Sequence, residues 1–123
     1  MNVQKQTFDI LTDTGGDYTD TGPSFDGEVL QMRYVPDGTA PLDTGADISL
    51  TLIGSGVSIA NYDNIGSAAF TRRPSIPVGD TGGAIFAERA SPVSAGEAMR
   101  VVVNQSDGVA GQKRGTIYVW VGC

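Results

Sequence analysis

Hydrophobic positions in this chain come in short runs, and within most runs they alternate with polar ones, the period of a strand with one face buried. Residues 47–53 show it most cleanly: Ile48, Leu50 and Leu52 fall on one side, Ser49 and Thr51 on the other. Gly54-Ser55-Gly56 then reverses the chain into a second run from Val57 to Tyr62, which predicts a hairpin. Residues 3–11 end in Phe8, Ile10 and Leu11 and read as an edge strand. In residues 28–35 the alternation puts Leu30, Met32 and Tyr34 on one face and Val29, Gln31, Arg33 and Val35 on the other. Weaker strands are expected over 68–72 and 83–88, with Pro74 and Pro77 as separators and a loop at 79–83. The last two runs, Ala98 to Asn104 and Thr116 to Val121, read as a strand pair joined by a long connection from Gln105 to Gly115, and both are apolar on both faces. On the final one Tyr118 and Trp120 point one way and Ile117, Val119 and Val121 the other, so its outer face either lies between layers or meets another subunit.

Between the runs stand turn residues. Gly15, Gly16 and the Asp/Thr cluster through Gly22 read as a loop, and Pro36-Asp37-Gly38 as a turn. About eight short strands spaced by turn signals predict an all-β fold, an antiparallel β-sandwich or jelly roll. A length of 123 residues suits one domain over 1–123.

Charge narrows the partners. The net charge of −6 opposes binding to a phosphate backbone, so nucleic acid is not an expected partner. Residues 1–65 carry ten acids against Lys5 and Arg33, a balance of −8, whereas residues 66–123 carry four acids against six bases, +2. Such asymmetry suits copies packed head to tail or docking onto a charged surface. No run approaches the ~18 apolar residues of a membrane helix, and the N-terminus has no apolar signal-like run, so a soluble protein made in the cytoplasm, without a membrane partner, is expected. The single cysteine, Cys123, excludes an intrachain disulfide.

Candidate chemistry is sparse. Asp-Thr-Gly occurs four times, at Asp13, Asp20, Asp43 and Asp80. The third copy, Pro41-Leu42-Asp43-Thr44-Gly45-Ala46-Asp47-Ile48-Ser49, resembles the active-site signature of retroviral-type aspartic proteases, small dimers whose paired carboxylates activate water. Pro41 would interrupt the strand that family places before its aspartate, and the final apolar run meets Gly122 without the family's C-terminal helix. Three further copies in loop-like surroundings mark Asp-Thr-Gly as turn vocabulary. The chain has no His, which removes Ser-His and Cys-His arrangements and the commonest metal ligand. Asp13, Asp17 and Asp20 match no calcium-loop spacing, so no metal, cofactor or catalytic residue is assigned.

The order of blocks carries a resemblance. Arg33-Tyr34-Val35 precedes a turn at Asp37-Gly38, followed by Gly45-Ala46-Asp47-Ile48 and Ile53-Gly54-Ser55-Gly56. Then come Thr71-Arg72-Arg73-Pro74, Gly82-Gly83, Arg100-Val101-Val102-Val103-Asn104-Gln105 and Gly115-Thr116-Ile117-Tyr118-Val119-Trp120-Val121-Gly122. Together these resemble small proteins of the head-gene cluster of tailed double-stranded DNA phages, similar in role to capsid decoration, or cement, proteins. The resemblance implies a structural virion protein on the capsid surface, partnered by the major capsid protein and by itself, as a homo-oligomer and often a trimer. A tail or head–tail junction component is the alternative within that class. Candidate interface residues are Tyr118, Trp120, Arg72 and Arg73.

Overall fold

The computed structural model describes residues 2–13, 15–43, 45–63, 65, 68–79, 85–104 and 111–122, with side chains outside 76–79 and 85–90. Among them the chain is all-β: β1 (Val3–Leu11), β2 (Tyr18–Pro36), β3 (Asp47–Ile53), β4 (Ser58–Tyr62), β5 (Phe70–Arg72), β6 (Ile76–Gly79), β7 (Ile85–Ala90), β8 (Val93–Asn104) and β9 (Lys113–Gly122). Seven strands share one antiparallel sheet in the order β1-β9-β2-β8-β3-β4, with β5 paired to β2, and β6 and β7 form a separate two-stranded sheet.

Strand β2 organises the rest. From Tyr18 to Glu28 it pairs with β8, and from Glu28 to Pro36 with β9. The large sheet thereby turns over along β2 into a sandwich, with β1, β9, the second half of β2 and β5 in one layer and the first half of β2, β8, β3 and β4 in the other. A strand changes layers where its ladder is interrupted. Here the register slips between Phe25 and Asp26 and again between Val29 and Gln31, and Gly27 between them has φ +125°, a backbone conformation that suits glycine.

Alternation fills the space between the layers. Phe8 and Ile10 of β1, Met32 and Tyr34 of β2, Ile48, Leu50 and Leu52 of β3, Met99, Val101 and Val103 of β8 and Ile117, Val119 and Val121 of β9 are each at most 2% exposed. Burial of an aliphatic side chain of this size contributes about 1.5–3 kcal/mol. Ala60, Tyr62, Ile65 and Phe70 pack on the rim of this core.

Four connections meet at one end of the sandwich, and a bulge in β9 ties two of them. Ile10 pairs with Gly115 and Leu11 with Lys113, leaving Arg114 as the extra residue. The bulge turns the Arg114 side chain inward, where it is 7% exposed and its Nη1 donates to the Pro41 carbonyl at 3.1 Å. The buried Tyr34 hydroxyl donates to the Arg114 carbonyl at 2.7 Å and accepts from the Leu42 amide at 3.0 Å. The β2–β3 connection is thus held to the sandwich by side chains rather than by a ladder. Burial raises the pKa of the Tyr34 phenol, against the opposing effects of the Leu42 amide and Arg114.

Several expectations are corrected. The stretch from Tyr18 to Gly22 is strand, not loop, because its backbone pairs with β8 despite turn-like residues. Over residues 28–35 the buried set is Val29, Met32 and Tyr34, since the slip around Leu30 exchanges the inward and outward positions before it. Residues 98–104 and 116–121 are not a hydrogen-bonded pair, because β8 and β9 lie on opposite sides of β2. Pro77 lies within β6 and does not separate strands, as an edge position allows. The loop expected at 79–83 falls on residues outside those described, apart from Gly79 at the end of β6.

Candidate docking surface

The outward side of the β1-β9-β2 layer follows from pairing and alternation. Trp120 pairs with Lys5 on one side and Gln31 on the other, and Tyr118 with Thr7 and Arg33. Arg33 in turn pairs with Thr71 of β5. Because Ile117, Val119 and Val121 are buried, the alternating residues Tyr118 and Trp120 stand outward, half-buried, with ring centroids 6.0 Å apart. Lys5 Nζ lies 4.8 Å from the centre of the Tyr118 ring, close enough for a cation–π contact of about 0.5–1 kcal/mol at an exposed site.

Lys5, Gln31 and Arg33 are exposed. Arg73, one residue beyond β5, is also exposed, and its Nη2 reaches Ser91 Oγ at 3.5 Å. Pairing with Arg33 gives Thr71 the outward side and sets Arg72, itself exposed, on the side of Met32. The face therefore sets an aromatic pair beside the cations Lys5 and Arg33, with Arg73 exposed just beyond β5. Asp9, at the far end of β1, accepts from the Thr116 hydroxyl at 3.1 Å.

The candidate interface residues thus divide. Tyr118 and Trp120 share one face, and Arg73 stands exposed just beyond its β5 edge. Arg72 lies apart: its guanidinium lies 5.4 Å from the Phe70 ring centre and lines a cleft of about 310 Å³ with Asn61, Tyr62, Asp63, Ile65 and Phe70, between β4 and β5. Tyr62 and Phe70 meet edge to face there, centroids 5.8 Å apart. Lys5 and Arg33 were not singled out by the sequence pattern. Their position beside the aromatic pair depends on which strands pair, and nothing in a single run of residues carries that information.

The opposite electrostatic pole lies at the end where the connections meet. Thr12 and Gln112 join the β1–β2 and β8–β9 connections through Thr12 N to Gln112 O at 3.0 Å, and Ile65 N reaches Ala46 O at 3.0 Å across the β2–β3 and β4–β5 connections. These four connections and the start of β3 carry Asp13, Asp17, Asp37, Asp43, Asp47 and Asp63, with Lys113 alongside. Leu11, 53% exposed, projects at the same end.

The described aspartates of the Asp-Thr-Gly copies lie in unlike surroundings. Asp13 Oδ1 accepts from the Gly15 and Asp17 amides at 2.9 and 3.0 Å, an Asx turn. Asp20 lies within β2 and accepts from the Tyr18 hydroxyl at 2.9 Å, which together with burial raises the Tyr18 pKa. Asp43 is exposed in the turn before β3, where its carbonyl accepts from Ala46 N at 3.1 Å. The copy at Asp80 lies outside the described residues. Among the described residues no group of three or more His, Cys, Asp or Glu side chains is placed to hold a metal ion.

No protein-family model matches the chain, and no curated protein matches it. Among solved structures, one described as the crystal structure of FLHE is similar over 98% of this chain and 94% of its own, at 14% identity and a TM-score of 0.48. A chain in the structure of infectious bursal disease virus Gx strain is similar over 98% of this chain, at 9% identity and a TM-score of 0.31, and this chain spans 32% of that one.

Proposed function

We propose that the chain is a structural virion protein of a tailed phage, a decoration protein that binds the outside of the head shell and raises its resistance to rupture. The observation that carries the reading is the outward face of β1, β9 and β2, a surface suited to assembly with other protein subunits of a particle. Half-buried aromatic rings set among exposed cations on a rigid sheet are the composition of a protein–protein contact, in which Trp, Tyr and Arg provide most of the binding energy. The block order that resembles head-cluster proteins points to the particle, and the major capsid protein is the proposed partner of the assembled copies.

The mechanism requires no chemistry at a reactive centre. A ligand that binds the assembled shell and not its dissociated subunits stabilises assembly by mass action, about 2.7 kcal/mol per site at a hundredfold excess over Kd, repeated over many sites. The test uses particles assembled without this protein. Adding it back should raise their disruption temperature and place density on the outer shell in electron micrographs. Particles that bind none, or that carry it on the tail, overturn the decoration role, and density on the tail establishes the junction or tail reading instead.

A further inference from the structure

Taking the outward face of β1, β9 and β2 as a docking face, we propose that its occupant is a second copy of this chain, which places its acidic end against the aromatic pair and cations of the first. Both halves of the contact are present in one molecule. The receiving face holds Tyr118 and Trp120 flanked by Lys5 and Arg33, with Arg73 just beyond its β5 edge, in a chain whose net charge is −6. Among the described residues the donating end holds Asp13, Asp17, Asp37, Asp43, Asp47 and Asp63, and offers the exposed apolar side chain of Leu11.

Charge complementarity fixes the orientation. Laid face to face, two copies would bring Lys5, Arg33 and Arg73 toward their own counterparts unless displaced, and like charges in close approach disfavour that arrangement. End against face puts carboxylates beside guanidinium and ammonium groups and gives the aromatic rings an apolar side chain to cover. Such a contact joins unlike surfaces, so it propagates from copy to copy and closes into a ring where the rotation permits. Lys113 at the acidic end stands beside Asp37, whose carboxylate accepts from the Thr39 and Ala40 amides at 3.0 Å each, so the end keeps its negative sign without requiring Asp37 to reach across.

The test is a charge exchange read by sedimentation. The wild-type protein should self-associate at low salt, with Kd weakened about tenfold or more at 0.5 M salt, where exposed charges are screened within a few ångströms. A face variant, Lys5→Glu with Arg33→Glu and Arg73→Glu, and an end variant, Asp17→Lys with Asp43→Lys and Asp63→Lys, should each sediment as monomer. Mixing the two should restore association, since the acidic face of one then meets the basic end of the other, and no loss of folding can produce that recovery. A wild-type protein monomeric at low salt, or a mixture that remains monomeric while both variants keep the wild-type circular dichroism spectrum, overturns the contact. If either variant misfolds, single reversals Arg33→Glu and Asp63→Lys decide, unchanged association in both counting against it. A monomer that still coats shells refutes the contact and leaves the decoration role, whereas an oligomer that binds no shell does the reverse.

Discussion

Tyr34 shows how a single polar group can hold a connection to a core. Its ring is wholly buried, yet its hydroxyl serves both the Arg114 carbonyl and the Leu42 amide. In Tyr34→Phe the Leu42 amide loses its acceptor while remaining buried, and the expected loss is about 1–3 kcal/mol in urea unfolding. The phenol also adds a pH dependence of known sign. Burial raises its pKa in the folded state, so its contribution is complete below the ordinary tyrosine value of about 10 and is lost as pH rises through the folded value. The difference in stability between wild type and Tyr34→Phe should therefore shrink above about pH 10. Asp37 has the opposite sign: the Thr39 and Ala40 amides lower its pKa, so its contribution is present above about pH 4 and disappears as pH falls through the lowered value. Asp37→Ala should thus lower the urea midpoint at pH 7 and approach the wild type near pH 2. Gly115 is constrained more severely. It has φ +123°, and an added Cβ would press on the Val35 carbonyl oxygen, so Gly115→Ala is expected to cost more than about 1 kcal/mol and to loosen the β9 bulge.

At the scale of elements, legibility depends on whether a strand keeps its phase. Strand β3 does, and its residues Ile48, Leu50 and Leu52 are buried as their alternation indicates. In β1 the alternation likewise holds at Phe8 and Ile10, and the strand lies at a sheet edge. Strand β2 resists such a reading because three interruptions break it. At the first, the register moves from Thr21 to Ser24 while β8 moves from Arg100 to Ala98, so Gly22 and Pro23 together oppose Met99. A bulge accepts the proline that a regular ladder would reject, and that is how Thr-Gly-Pro, a turn by composition, occupies a strand. Gly22 is required there for a second reason. A Cβ would fall 2.5 Å from Gln6 Oε1 and 3.0 Å from the Phe8 ring, where β1 crosses β2. Gly22→Val should therefore push β1 away from β2 and lower the melting temperature, with a new exposure of Phe8 detectable by hydrogen exchange at β1 amides. The candidate face was legible in Tyr118 and Trp120, since both sides of their strand are apolar. Lys5 and Arg33 were not, because they become neighbours of the aromatic pair only through the β1-β9-β2 pairing.

The molecule as a whole offers surfaces more than clefts. Asp43, the aspartate with the most protease-like surroundings, sits exposed in a turn on the acidic end, and Pro41 before it is engaged through its carbonyl by Arg114. The structural reading expects no proteolysis of unfolded substrates between about pH 4 and 7, the range in which a paired-carboxylate centre acts. Cleavage abolished by Asp43→Asn would replace that reading with an aspartic protease.

That β2 belongs to both layers has a mechanical consequence. In a sandwich whose layers meet only through side chains, a force separating them is resisted by dispersion contacts that yield one after another. Here β2 runs from one layer into the other, so such a force is borne at Glu28 by the covalent backbone itself. The layers can part only if β2 is first stripped from β8 or from β9, so backbone hydrogen bonds must break before the core can open.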